Sequence, residues 1–219
     1  MKEVDKMSLS YSDDNLKVTC SLAEKKRLED LKERKLYLYG EIADYDTEEG
    51  IIGHASKTGE IVEQILGFNE DDRDIPAEER EPIKLYIDSP GGNQTEGFSL
   101  VDAIQLSKTP IYTVNLGEWS SMSFLIGITG HKRFSFPSAT FLLHDGSSGA
   151  FGSTNKVQDR VKFEERYELE VVKQHVLRHS NMNSEEYDAL ARVEYYMLPA
   201  DALKKGFIDE IVSDVNTIL

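Results

Sequence analysis

Apolar residues fall into short runs separated by turn residues, from residue 35 to residue 212. Runs rich in β-branched and aromatic residues predict six strands: KLYLYGEI (35–42), IKLYID (83–88), PIYTVNL (110–116), KRFSF (132–136), ATFLLH (139–144) and FIDEIV (207–212). Apolar residues at helical spacing predict helices over 47–66, after 92, and over 121–130, 155–179 and 200–205. Strands that alternate with helices indicate an α/β class with a mostly parallel sheet.

Two segments fall outside this pattern. Residues 1–34 are polar and crowd charged residues into AEKKRLEDLKERK, which predicts a solvated arm that can hold a short helix. Residues 68–82, FNEDDRDIPAEEREP, are acidic and aperiodic, with prolines typical of loops. We therefore expect an exposed loop there, and core residues only from residue 35 onward.

The charge balance narrows the choice of partners. The chain has 25 Lys and Arg residues against 40 Asp and Glu residues, a formal net charge of −15. Because nucleic acid and anionic membranes bind basic surfaces, neither is expected as a partner. Cys20 is the single cysteine, which excludes an intrachain disulfide and a cysteine metal cluster. No signal-peptide core and no apolar run of roughly 18 residues is present, so a cytoplasmic protein is predicted.

Three places carry candidate chemistry. The glycines of SPGG (89–92) can aim backbone N–H groups into a cleft, although a plain turn is the simpler interpretation. Ser121 begins a short apolar helix, either as a hydroxyl nucleophile or as an N-cap. His144 lies between an apolar strand and the loop DGSSGAFGS, either as an exposed base or as a structural histidine. The other histidines are interpreted as surface or packing residues: His54, His131, His175 and His179.

Together these segments resemble the proteolytic subunit of the ATP-dependent Clp protease, over about 35–212. IDSPGG (87–92) matches the family's strand and glycine turn, and GEWSSMSFLIGI (117–128) resembles its G-x-x-x-S-M segment. KRFSFPSATFLLH (132–144) resembles the segment that ends in the catalytic histidine, and LPADALKKGFID (198–209) the closing helix and strand. Four motifs in the family's order, with a family-like spacing from Gly92 to Ser121, make the resemblance specific.

The resemblance implies a crotonase-like α/β fold, with a parallel sheet of repeated ββα units. The peptidase domain would cover 35–213, with a helical handle at about 155–179 and a tail over 214–219. The implied activity is that of a serine endopeptidase with Ser121 as nucleophile and His144 as general base. The N–H groups of Gly92 and Met122 would form the oxyanion hole, and Tyr86 matches a position that lines the family's docking site for the unfoldase.

The chain departs from the family pattern around the nucleophile. Trp119 and Ser120 stand where the family has small residues, and Ser123 stands where it has a glycine. The loop between residues 66 and 83 is longer, and the histidine is followed by Asp-Gly instead of Gln-Pro.

The third triad position is also altered. The position of the family's aspartate falls on Glu194, whose side chain is one methylene longer. A glutamate can orient an imidazole, as it does in some hydrolase triads, so the resemblance assigns that role to Glu194. Asp145 and Asp188 are the alternatives.

The resemblance also implies the assembly and its partner. We expect a homo-oligomer of stacked heptameric rings that cleaves unfolded polypeptides in its chamber and needs no metal or organic cofactor. Because the chain has no G-x-x-x-x-G-K-[ST] loop, unfolding would depend on a separate AAA+ unfoldase. Two other functions stay open: a non-catalytic ring subunit of the same family, and an acyl-CoA hydratase or isomerase of the crotonase superfamily.

Overall fold

The computed structural model describes residues 7–9, 18–43 and 57–219. The strands are β1 Met7–Leu9, β2 Val18–Cys20, β3 Lys35–Tyr39, β4 Ile83–Ser89, β5 Ile111–Ser120, β6 Lys132–Ser135, β7 Thr140–Leu143, β8 Tyr195–Met197 and β9 Glu210–Ile211. The helices are α1 Leu22–Lys32, α2 Lys57–Asp71, α3 Gln94–Leu106, α4 Met122–Gly127, α5 Thr154–Tyr167, α6 Lys173–Arg178, α7 Ser184–Leu190 and α8 Pro199–Lys204. Part of the helix predicted over 47–66 lies outside the described residues.

Seven of the strands form one sheet, and five of them lie parallel in the order β3-β4-β5-β6-β9. Near its carboxyl end β5 changes partner: residues 112–115 pair with β6, and residues 118–120 pair in parallel with β7. Strand β8 then adds antiparallel to β7. The predicted α/β class with a mostly parallel sheet is therefore confirmed.

Strand β5 is longer than the sequence predicts. We expected it to end before Gly117, but it continues to Ser120. Gly117 marks an irregularity inside the strand, where a Cβ atom would lie 2.6 Å from the Asp88 carboxylate. That carboxylate accepts a hydrogen bond from the Glu118 N–H at 3.0 Å. Gly117 is thus needed for the close approach of two strands, and it does not mark the end of β5.

Apolar side chains pack on both faces of the sheet. The inner face holds the main core, whose largest fully buried members include Trp119, Phe124, Phe141 and Phe207. The outer face carries a smaller group that we call the outer-face cluster: Tyr86, Val114, Phe134, Val212 and Ile218. None of the described helices is both long and apolar enough to cross a membrane.

The helix predicted over 155–179 runs from residue 154 to residue 178 as α5, a π-helical turn at Glu168–Val172, and α6. The Tyr187 hydroxyl of α7 donates to the Glu168 carboxylate at 2.5 Å. Burial raises the pKa of Glu168 above its usual range. This handle is therefore fastened to α7, which the sequence pattern did not predict.

The segment expected to be an exposed loop, 68–82, contains a buried carboxylate that is paired with an arginine outside the segment. Helix α2 extends to Asp71, and the next residue, Asp72, is only 1% exposed. Its two carboxylate oxygens accept hydrogen bonds from the Arg34 guanidinium, both at 2.6 Å, and one of them also accepts from the Thr109 hydroxyl at 2.8 Å. These hydrogen bonds, led by Arg34, hold the pKa of Asp72 below its usual range. The loop prediction was wrong here because the partners lie far away in sequence.

Replacing Asp72 with Asn should lower the free energy of unfolding by about 2 kcal/mol at pH 7, because Arg34 loses its charged partner. Because the pKa of Asp72 is lowered in the folded chain, its contribution to the free energy of unfolding is complete above about pH 4. That contribution is lost as the pH falls through the pKa of the folded state. The difference from the unaltered chain should therefore shrink in acid. Urea denaturation followed by far-UV circular dichroism measures it, and exposed Asp71→Asn should change stability by less than about 0.5 kcal/mol.

Candidate active site

Ser121 occupies a sharp turn between a strand and a helix. Strand β5 ends at Ser120, helix α4 begins at Met122, and Ser121 between them has φ 56° and ψ −124°. Only one other non-glycine residue in the described part of the chain, Arg34, has a positive φ. Strained backbone of this kind is concentrated at functional sites. The Ser121 side chain makes no capping hydrogen bond to α4, so the N-cap interpretation is not supported.

The neighbouring serine is engaged elsewhere. Ser120 is 4% exposed, and its hydroxyl donates to the Glu118 carboxylate at 2.5 Å. Ser121 is only partly buried, and its hydroxyl forms no hydrogen bond with any described residue. Of the two hydroxyls, the one on Ser121 is therefore available to a substrate.

Strand pairing brings His144 beside this turn. Strand β7 lies parallel to β5 with Ser120 opposite Leu142, and the Ser121 N–H donates to the Leu142 carbonyl at 3.0 Å. Since parallel strands have their carboxyl ends at the same edge, the residues that follow both strands are neighbours. His144, just after β7, thus leaves the sheet at the same edge as Ser121, although no hydrogen bond joins the Ser121 hydroxyl to His144 Nε2.

The two ring nitrogens of His144 have different surroundings. Nδ1 lies 2.9 Å from Glu194 Oε1, while Nε2 is buried and has no hydrogen-bond partner among the described residues. A carboxylate accepting from Nδ1–H fixes the tautomer in which Nε2 carries a free lone pair. The imidazole is therefore arranged to take a proton at Nε2.

Glu194 reaches His144 because of the register between β7 and β8. Leu143 lies opposite Tyr195 in this antiparallel pair, and the next pair along brings Glu194 opposite His144. Glu194 is 58% exposed, and its other oxygen accepts from the Tyr196 hydroxyl at 3.4 Å.

Neither alternative carboxylate hydrogen-bonds the imidazole. Asp188 pairs with Lys173 Nζ at 2.6 Å, and Asp145 is exposed without a hydrogen bond to any described residue. Of the three candidate carboxylates, Glu194 is the one in contact with His144.

The glycine turn lies against the same backbone. Gly91 and Gly92 have φ of 92° and 140°, which L side chains rarely adopt. Ile42 donates to the Gly91 carbonyl at 2.8 Å and accepts from the Asn93 N–H at 2.7 Å. The Met122 N–H, in the first turn of α4, has no partner within its helix. Among the described residues, neither the Gly92 N–H nor the Met122 N–H has a hydrogen-bond acceptor.

Gly91 is a residue whose role sequence reasoning missed. A Cβ atom here would lie 2.5 Å from the Ser120 carbonyl oxygen and 2.8 Å from the Met122 nitrogen. Gly91 therefore sets how closely the glycine turn approaches the Ser121 turn. The SPGG motif indicated that glycines are needed in this turn. Only the contact with residues 120–122 shows that the role of Gly91 differs from that of Gly92.

The unusual residues near Ser121 have compensating contacts. The Ser123 hydroxyl donates to the Ser89 carbonyl at 2.5 Å and accepts from the Ser120 N–H at 2.9 Å, so it ties the ends of β4 and β5 together. The Trp119 ring lies directly over Gly127, where a Cβ atom would come within 2.4 Å of the ring. A large residue fits before the two serines because α4 has a glycine beneath it.

A buried histidine supports α4 from the handle. His175 is 1% exposed, and its Nε2 lies 3.0 Å from the Leu125 carbonyl oxygen and 3.2 Å from the Thr129 hydroxyl. Burial lowers the pKa of His175 to about 4, so the ring is neutral at pH 7. It is a packing residue, as interpreted from the sequence, and it joins α6 to the helix that follows Ser121.

The family described as Clp protease matches residues 27–215 of this chain. The chain is similar to the ATP-dependent Clp protease proteolytic subunit of Streptococcus gordonii, with 26% identity over 189 residues, 85% of this chain and 88% of that protein. It is 29% identical over 188 residues to the protein of the same name from Leuconostoc citreum, 84% of each chain. The corresponding protein of Streptococcus mutans is 28% identical over 187 residues, 84% of this chain and 87% of that protein.

Gly91→Ala should disrupt the approach of the two turns, because a Cβ atom there would lie 2.8 Å from the Met122 nitrogen, and should lower the rate of labelling by a serine-directed fluorophosphonate at least about 100-fold. The matched control is Gly149→Ala, because Gly149 is exposed and a Cβ atom there meets nothing within 4 Å. Equal labelling rates of the two variants would contradict the assigned contact.

Proposed function

Since the chain belongs to the Clp protease family, we propose that it cleaves peptide bonds with Ser121 as nucleophile, His144 as general base and Glu194 as the carboxylate that orients the imidazole. The observation that carries this assignment is the asymmetry of His144. One ring nitrogen is held by Glu194 at 2.9 Å, and the other is buried with no hydrogen-bond partner among the described residues.

In the first step the Ser121 hydroxyl oxygen attacks the peptide carbonyl carbon while its proton passes to His144 Nε2. The Nδ1–H hydrogen bond to Glu194 stabilises the imidazolium that forms. The tetrahedral intermediate then expels the amine, which takes the proton from His144 and leaves an acyl ester on Ser121. A water molecule, deprotonated by the same imidazole, hydrolyses that ester and restores the serine.

The oxyanion of each tetrahedral intermediate would be bound by the N–H groups of Gly92 and Met122. Both donors belong to rigid backbone, so they need no reorganisation when negative charge develops. Each is expected to stabilise the transition state by about 3 kcal/mol, the usual cost of removing one such donor.

Membership of the family implies an oligomeric protease, and we propose the stacked heptameric rings and AAA+ unfoldase expected from the resemblance, with Tyr86 as the residue that lines the docking site for the unfoldase. The surface of the handle and the loop before it supports subunit contacts. Phe151, Phe163 and Leu169 are each more than half exposed, and apolar surface of this kind is normally covered in an assembly.

Ser121→Ala should lower cleavage of a short fluorogenic peptide by roughly 10⁶-fold, to background, and abolish fluorophosphonate labelling. Ser120→Ala is the matched control and should keep activity within about tenfold, because that hydroxyl is already bound to Glu118. The reverse pattern would place the nucleophile at Ser120. A non-catalytic ring subunit, or an acyl-CoA hydratase, would be labelled at neither serine.

Glu194→Gln should lower kcat by at least about 100-fold, because an amide no longer stabilises the imidazolium or enforces the tautomer. Glu194→Asp should also lose activity, since the carboxylate would recede by about 1.5 Å from a hydrogen bond that now measures 2.9 Å. Steady-state kinetics on a short peptide measure both. Exposed Asp145→Asn is the control, and an equal loss in that variant would remove Glu194 from its assigned role.

A further inference from the structure

The outer face of the sheet carries an aromatic site that is already filled. In the outer-face cluster, Tyr86 on β4, Val114 on β5 and Phe134 on β6 lie side by side, with exposures of 4%, 1% and 2%. Tyr37 on β3 stacks on Tyr86, with ring centroids 5.2 Å apart. Tyr86 is the residue that the proposed function assigns to partner docking, yet it is not accessible.

Ile218 is the residue that covers it. This side chain is 4% exposed and packs within the cluster, 132 positions along the chain from Tyr86. The Tyr86 hydroxyl donates to the Ile218 carbonyl oxygen at 2.5 Å. Burial raises the pKa of Tyr86 to about 12, so the hydroxyl stays protonated and remains a donor. The site therefore binds two features together: an aliphatic side chain and the main-chain carbonyl of the same residue.

The rest of the segment contributes little to its attachment. The 3₁₀ turn Val215–Thr217 has no buried residue, and Val215 and Leu219 are 50% and 55% exposed. The Asp214 side chain accepts from the Asn216 N–H at 3.0 Å, which shapes the turn without joining it to the sheet. A short segment anchored mainly by one aliphatic side chain can be displaced without unfolding the sheet.

We propose that residues 214–219 are a tethered occupant of the docking site on the outer face, and that a partner binds there by replacing Ile218 with an aliphatic side chain of its own. This inference rests on the proposed docking role of Tyr86. It adds that the site is closed by the chain itself, and that the partner segment must offer an aliphatic residue whose carbonyl accepts from Tyr86.

The covalent link between residues 214–219 and the rest of the chain determines how strongly this segment competes with a partner. A short linker holds its end near the site at an effective concentration of about 1 mM. For a free segment with a dissociation constant of about 0.1 mM for the open site, competition by an equivalent tethered segment weakens binding about tenfold.

The probe is the fluorescein-labelled peptide DVNTIL, the chain's own residues 214–219, titrated against the full-length chain and followed by fluorescence anisotropy. Ile218→Asp should open the site and bind the peptide about tenfold more tightly than the unaltered chain. Val215→Asp is the matched control and should bind as the unaltered chain does, since Val215 is half exposed. In the Ile218→Asp background, Tyr86→Phe should weaken binding about fivefold through loss of the hydroxyl donor.

Equal affinity of the unaltered chain and Ile218→Asp would overturn the proposal, as would equal binding of a peptide with aspartate in place of its isoleucine. A chain lacking residues 214–219 is the second open variant, and it must show the same gain as Ile218→Asp. Cleavage of a short peptide by the same preparations is measured in parallel. A tenfold affinity difference without peptide cleavage would support the tethered segment and refute the catalytic assignment. Peptide cleavage without the affinity difference would support the catalytic assignment and refute the tethered segment.

Discussion

The change of partner along β5 is the constraint on which the active site depends. Residues 112–115 pair with β6, and residues 118–120 pair with β7. The hydrogen bond from the Ser121 N–H to the Leu142 carbonyl completes this second pairing at 3.0 Å. It holds the strained Ser121 turn against the strand that leads to His144. Backbone pairing, and not a side-chain hydrogen bond, therefore places the proposed nucleophile and base at the same edge of the sheet.

The same dependence on strand register explains how Glu194 reaches His144. The antiparallel register of β8 fixes the backbone of Glu194 opposite His144, and the extra methylene is taken up on an edge strand that is open to solvent. Because water screens the charge of an exposed carboxylate, the main contribution of Glu194 is to accept the Nδ1–H hydrogen bond and to orient the ring. The 2.9 Å contact between Nδ1 and Glu194 orients the ring, and it leaves Nε2 buried without a hydrogen-bond partner among the described residues.

Local patterns in the sequence were enough for most strands and for the long helix, whereas the roles of the candidate site residues came from the family resemblance and stay predictions. Each of those strands and helices depends on a short motif or a period that lies within one element. The failures have a common physical origin. The glycine at position 117 suggested a strand end, but it lies inside β5, where the Asp88 carboxylate leaves no room for a side chain. Asp72 reads as part of an exposed acidic loop, but it is buried by Arg34, 38 positions away. No local pattern encodes a partner at that distance.

Strand β4 links the two faces of the molecule. It carries Tyr86 on its outer face, and Gly92 follows six residues later in the glycine turn. Hydrogen bonds to β3 on one edge and to β5 on the other make this strand one of the least deformable parts of the sheet. Under the proposed assignments, this strand and the short turn after it would connect the docking residue to the oxyanion donor. Exchange of the aliphatic residue on the outer face would then be a local event, because the strand beneath it is already fixed on both edges before a partner arrives.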